Sequence, residues 1–377
     1  MRVETKNEVS VLVGGDCGPS RGPDQGVPVD HHITLIRSTL AAADIRFVNC
    51  MRTYTDRKIT DTKAPQVAQP ALMADLYSQA GFDGVTMANN HTYDCGPDAM
   101  LDTVALFRAR GIQVTGAGRD LDEARQPVIV ERNGIRVAYL GYTSVGAEGS
   151  DAGQGKPGVT NIPIHTTYET RGAHAPVRIR TEPDGDALAR LVDDVRRIRP
   201  EVDALILAFH GGVIRLPRVI SDYQRIVAHA AIEAGADAVV GHAPHLPKGV
   251  EMYKGKPIFY SLGVFAMTKP NAAAGWAEPA WAHGAIRNHA DLDPAYPDMP
   301  YGEGSTLSLL AKLAVGKGGV ARVSFLPMKI DTQYRPQVLA ADDARFSEVL
   351  EYLEWASVDL PHRFKVQGNE VLVESQD

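Results

Sequence analysis

Five short apolar runs, each stopping on a residue that can bind a metal or move a proton, constrain the fold of this chain more than any other feature. They are Val9–Asp16 (VSVLVGGD), Ile45–Cys50 (IRFVNC), Phe82–His91 (FDGVTMANNH), Ala204–His210 (ALILAFH) and Ala236–His242 (ADAVVGH), the last continuing through Ala243 and Pro244 to His245. Runs this short, rich in Val, Ile, Leu and Ala and preceded by a helical stretch or a turn, read as buried parallel strands. In an open α/β sheet, ligands collect outside the carboxyl ends of the strands. Asp16, Asn90, His91, His210, His242 and His245 are therefore expected to converge as a metal-centred site.

Helical stretches alternate with these runs. Asp30–Ala43 is amphipathic, with Asp30 placed to cap it; Pro70–Ala80 and Pro97–Arg110 follow, the latter with Pro at its start and Gly111 at its stop. Pro127–Arg132 and Ile135–Tyr142 read as a hairpin about Asn133-Gly134. Helices at Gly185–Ile198 and Asp222–Ala234 precede the runs ending at His210 and His242. Strands at Val250–Tyr253 and Ile258–Leu262, a β pair at Ser305–Val315 and Val320–Leu326, and a helix at Ala341–Ala356 complete the chain. Alternating βα units with added antiparallel strands predict an α/β fold, helices lying outside a central β layer or pair of sheets. Thr143–Pro183 and Ala266–Gly304 lack any periodic pattern. The second carries Trp276, Trp281, His283, His289, Tyr296 and Tyr301, and is expected to act as a substrate lid.

Charge narrows the function. A net charge of −7 with arginines scattered among acids excludes a nucleic-acid surface. MRVETKNEVS has no apolar core of signal-peptide length, and no run reaches a membrane span, so no membrane partner and a cytoplasmic location are expected. An odd count of 3 cysteines fits a reducing compartment. Cys17, Cys50 and Cys95 each follow an Asp or Asn at a crowded turn. They read either as small packed hydrophobes or, at Cys50, as a thiolate within reach of the metal.

The densest chemical signal is Asn90-His91 with Asp94 three residues on. The Asn90 amide oxygen suits a hard cation, and His91, its tautomer fixed by Asp94, suits proton transfer. A plain capping network at a strand-to-helix turn is the structural alternative. His242 and His245, stiffened by Pro244, can present both imidazoles to one side. Gly211 and Gly212 permit close approach beside His210. With Asp16 these residues form a donor set suited to Mn, Fe, Co or Zn. Arg21 is placed to clamp a carboxylate or phosphate, or to form a surface ion pair. His31-His32 reads as a polar surface pair and His229 as a packed or solvated helical residue.

The segments GGD, ANNHTYDCG, HGG and GADAVVGHAPHLPKGVEMYKGKPIFYSLGVF resemble the CapA family of poly-γ-glutamate synthesis, itself similar to the calcineurin-like metallophosphoesterases. The resemblance runs from about residue 9 to 265. It implies a four-layer α/β/β/α sandwich with long active-site loops: one domain over 1–377, with its core at 9–265, a loop at 266–304 and closing strands and helix at 305–377. It also implies one or two divalent ions held by Asp16, Asn90, His210, His242 and His245, with His91 and Asp94 as a catalytic dyad. Where that family has Asn-Leu-Glu, this chain has Asn49-Cys50-Met51, so an expected acidic ligand is missing. His-Trp-Gly has become His210-Gly211-Gly212, and Ser-Leu-Gly-Asn-Phe has become Ser261-Leu262-Gly263-Val264-Phe265. The expected activity is metal-dependent hydrolysis of a small molecule or peptide at an amide or carboxylate-bearing group, with Asn49, Arg21, Trp276 and Trp281 at the substrate. Phosphoester hydrolysis, peptide epimerisation and a non-catalytic binding role are the alternatives, and a homo-oligomer is compatible with all of them.

Overall fold

The structure, a computed structural model, describes residues 8–58, 68–214, 216–268, 293–299, 301–302 and 304–376. Two mixed sheets dominate it. The larger runs in the order Arg363–Gln367, Glu370–Glu374, Gly319–Ile330, Leu307–Gly316, Glu8–Gly18, Ile45–Cys50, Gly84–Thr86 and Gln113–Thr115, with Val264–Met267 also pairing with Glu8–Gly18. The smaller runs Val250–Tyr253, Lys256–Phe259, Ala238–His242, Ala204–His210, Ile135–Thr143 and Val128–Arg132. Strands that deliver site residues pair in parallel, Glu8–Gly18 with Ile45–Cys50 and Ala204–His210 with Ala238–His242. Their carboxyl ends therefore emerge together.

Alternation along the strands builds the layers. Val11, Val13 and Phe47 of the larger sheet meet Tyr139, Ile206 and Val240 of the smaller in one buried cluster, with the Phe47 and Tyr139 rings stacked 4.6 Å apart. The intervening residues Leu12, Val48 and Val85 face outward onto Ile36, Leu40, Val104 and Phe107. Leu205, Leu207 and Val239 face outward onto Leu191, Val195, Val227 and Ala231 of the helices Gly185–Ile198 and Asp222–Ala234. The result is the expected α/β/β/α sandwich.

Several local expectations change. Asp30–Ala43 is a short 3-10 turn, His31–Ile33, and a helix of only Arg37–Ala41; the Asp30 carboxylate caps nothing and instead accepts from Arg37 at 2.8 Å. His32 is not a surface residue: it is fully buried, its Nδ1 lies 3.0 Å from the Tyr334 carbonyl oxygen, and burial lowers its pKa to about 4. Thr143–Pro183 contains a hairpin, Ile164–Glu169 with Arg178–Pro183. Both of its faces are largely open to solvent, so its sequence carries no period-2 apolar signal. The helix Ala344–Ser357 does not end the chain; a hairpin, Arg363–Gln367 with Glu370–Glu374, follows and extends the larger sheet.

Candidate metal centre

Asp16 lies at the bottom of the site because its strand is irregular. Val13 pairs with Phe47 but Asp16 with Asn49, so three steps on one strand match two on its neighbour. Such a bulge re-aims the residues beyond it. Strict alternation would send Asp16 outward, the side to which Gly14 turns against Phe265 and Val48. The extra residue turns it inward, towards the smaller sheet. A Cβ on Gly15 would lie 2.0 Å from the Gly263 carbonyl oxygen, so only glycine admits this close crossing.

Around the fully buried Asp16 carboxylate stand the imidazoles of the smaller sheet. His245 Nδ1 donates to Oδ2 at 2.9 Å, while His242 Nδ1 and His210 Nδ1 lie 3.6 and 3.9 Å from Oδ1. The Asn49 amide donates to Asp16 Oδ1 at 2.7 Å and reaches His210 Nδ1 at 3.1 Å. His210 Nε2 in turn lies 3.1 Å from Asn90 Oδ1. The turn carrying His242 and His245 is forced into left-handed backbone, φ 96° at Ala243 and 59° at His245, which brings the Ala243 N–H to Asp16 Oδ2 at 3.3 Å. Strained backbone of this kind persists where the surroundings over-determine it. At the rim, His91 Nδ1 lies 2.7 Å from Asp94 Oδ2, both side chains partly open to solvent.

The electrostatics follow from depth. Burial works to raise the Asp16 pKa, but the His245 hydrogen bond and the surrounding imidazoles outweigh it and hold the carboxyl well below the usual range. Burial pushes His210 down to about 3 and His242 to about 4. An ionised carboxylate facing neutral imidazoles is the protonation state that ligates a cation. Among the described residues, no three His, Cys, Asp or Glu side chains are closed into a ready metal cage; most of these donors are engaged with one another. His242 Nδ1 is the exception, a buried nitrogen with no hydrogen-bond partner beside the Asp16 carboxylate. That orphaned atom, with a donor set of one carboxylate, imidazoles and an amide oxygen, fits a divalent ion.

The family model for the bacterial capsule synthesis protein PGA_cap matches residues 10–269. The chain belongs to the PGA_cap family. The PGA biosynthesis protein CapA of Bacillus subtilis is 31% identical over 185 residues, 49% of this chain and 42% of that protein. The capsule biosynthesis protein CapA of Bacillus anthracis is 29% identical over 188 residues, 50% of this chain and 40% of that one. A probable polyglutamine synthesis accessory protein of Mycobacterium tuberculosis is 33% identical over 183 residues, 47% and 43% of the two chains. The aligned region thus spans less than half of each relative's length. The PGA_cap fold is metallophosphoesterase-like, in keeping with the paired sheets seen here.

Within this PGA_cap chain, several expected site residues are placed elsewhere. Cys50 alternates with Asn49 and so faces outward, packed with Cys17, Tyr54 and Tyr77; its thiol donates to the Arg52 carbonyl at 3.3 Å and burial pushes its pKa up to about 11. It is a packing residue, not a ligand. Asn49, expected at the substrate, is fully buried and spends its amide on Asp16 and His210. Arg21 pairs with Asp298 and lies over the Tyr334 ring. Met51 fills an apolar cluster with Val264, Met267, Met299 and Ile330. Trp276 and Trp281 lie outside the described residues. Two contributors, Asn89 and Tyr139, were given no role from the sequence, and Tyr301 was expected only as part of the lid. Asn89 donates to Asn49 Oδ1 at 3.1 Å and to the Cys50 carbonyl at 2.7 Å, while its own oxygen receives the His91 N–H at 3.0 Å. Tyr139 places its hydroxyl 3.5 Å from His242 Nε2. Tyr301 packs on the His245 ring at 4.4 Å, the one aromatic of the expected lid against the site among the described residues. The doubled Asn89-Asn90 was the available signal for the first; nothing marked Tyr139.

Proposed function

We propose that this protein is a metal-dependent hydrolase acting on an amide or carboxylate-bearing small molecule or peptide. The observation that carries the reading is the buried, ionised Asp16 beside the orphaned His242 Nδ1, with the His91–Asp94 pair at the rim. Asp16, His210, His242 and His245 would hold the ion, with Asn90 turned from His210 to complete the set. A divalent ion bound there supplies an acidified water and polarises the bond to be broken. The chain's own residues do the rest. Asp94 orients His91 through Nδ1, leaving Nε2 to pass a proton to the leaving group. Asn49 and Asn89 lock Asp16 and the His91 turn together, so the proton donor keeps its position relative to the ligands. Relatives named for PGA and polyglutamine synthesis favour an amide-linked substrate. A cytoplasmic location belongs to the same proposal, supported by the buried thiols of Cys17 and Cys50, which form no disulfide.

The test is metal analysis of protein purified without chelator, then turnover on γ-glutamyl amides and chromogenic phosphodiesters. Bound Mn, Zn, Fe or Co with amide cleavage is the expected result. Cleavage of phosphodiesters alone would move the assignment to phosphoester hydrolysis, and solvent deuterium entering an uncleaved peptide would move it to epimerisation. Protein that takes up no divalent ion on reconstitution would sink the enzyme reading in favour of a binding role.

A further inference from the structure

Arg52 is 3% exposed, yet its hydrogen bonds within the described residues go only to neutral oxygens: Nε to Ser20 Oγ at 3.2 Å, Nη1 to the Met51 carbonyl at 3.3 Å and Nη2 to the Thr268 carbonyl at 3.0 Å. Four half-buried guanidiniums among the described residues, by contrast, have a carboxylate. Arg46 has Asp83 at 3.6 Å, Arg110 has Asp75 at 2.6 Å, Arg125 has Asp194 at 2.9 Å, and Arg199 has Asp237. Among the described residues no acidic side chain pairs with Arg52. A guanidinium keeps its charge when buried, and an uncompensated buried charge is strongly unfavourable. The fold nonetheless provides for it. A Cβ on Gly18 would lie 2.7 Å from Arg52 Cγ, so glycine leaves the room its stem occupies.

Its position is as informative as its charge. Ser20 follows the strand Glu8–Gly18, Arg52 follows Ile45–Cys50 and Thr268 follows Val264–Met267. These strands are parallel, and their carboxyl ends are those from which Asp16 and Asn49 project. The next residue, Thr53, donates from Oγ1 to the His91 carbonyl at 3.1 Å, so Arg52 sits on the short link between the metal-facing strand and the proton-transfer turn. Of its five N–H groups, one on each Nη is not taken by a described residue. A carboxylate or phosphate accepts such a pair in a bidentate contact.

We propose that Arg52 is the anion-binding residue of the site, the fixed counter-charge for a carboxylate or phosphate group carried by the substrate. The inference deepens the hydrolase reading by naming the charge of its substrate, and it rests on that reading for the location of the site.

The experiment uses the full chain, metal-loaded and metal-free, with glutarate and inorganic phosphate as probes by titration calorimetry and thermal shift. Arg52→Met removes the charge but keeps the stem. At least one probe is expected to bind the wild type and to lose about tenfold or more in affinity to Arg52→Met, with metal content retained and the melting temperature not lowered. Preference for glutarate or for phosphate identifies the group. If Arg52→Met melts much lower while binding the probes as the wild type does, Arg52 is structural and the proposal is overturned; it is equally overturned if neither probe binds the wild type. Should Arg52→Met fail to fold, Arg52→Lys decides: weaker probe binding at normal metal content supports the proposal, unchanged binding refutes it. Wild type that binds a probe but no metal would refute the hydrolase reading alone.

Discussion

Asp16 shows how a single acid is kept charged at zero exposure: the His245 and Asn49 donors replace its water. Replacing it by Asn should lower bound metal by at least about tenfold, measured by equilibrium dialysis; equal occupancy would remove Asp16 from the ligand set. His91→Ala should leave metal content intact and reduce kcat by about 10²–10⁴, a split that a structural histidine would not produce. The deep imidazoles also set an acid limit. His210 and His242 are held near 3 and 4, against 6.5 for a free imidazole. Below about pH 6.5 the unfolded chain therefore binds protons that the native state refuses. Stability of the metal-free protein must fall as pH falls towards 4, by up to about 1.4 kcal/mol per pH unit for each imidazole. The low pKa of Asp16 adds loss of the same sign at still lower pH. Melting curves of metal-free protein between about pH 7 and pH 5 check this, and a flat profile would contradict neutral imidazoles.

At the scale of elements, the long strand-and-helix runs were legible and the irregular ones were not. Gly185–Ile198 and Asp222–Ala234 form as helices over the full spans expected, because apolar periodicity and Asp184 or Ser221 at the caps agree. Asp30–Ala43 broke down into short turns although its pattern was amphipathic, since tertiary packing of Ile33, Ile36 and Leu40 decides its path. The decisive local feature, the bulge before Asp16, has no sequence signature beyond Gly14-Gly15. Gly15→Ala should therefore be far more damaging than its size suggests. With its Cβ 2.0 Å from Gly263 O the strand must shift, costing on the order of 1–3 kcal/mol or more and misplacing Asp16. A melting temperature and metal affinity equal to the wild type would show that the crossing is not tight.

For the whole molecule, the family match ends at residue 269 but the sheet does not. Leu307–Gly316 pairs along Glu8–Gly18 from Glu8 to Val13, and Leu309, Leu313 and Phe325 complete the cluster between the sheets. A fragment ending at residue 269 would expose a long central strand edge and half a core. It is expected to be insoluble or to melt without cooperativity; a sharp transition like that of the full chain would overturn this. By itself the sequence determined that buried strands would deliver Asp16, His210 and His242 at or near their carboxyl ends, because burial on both faces leaves an unbroken apolar run that stops where the strand meets the site. Only the tertiary structure decided which way those end residues point. Facing is set by strand register and by a one-residue bulge, which turned Asp16 and Asn49 into the site, turned Cys50 out of it, and buried Arg52 beside it with no acid of its own among the described residues.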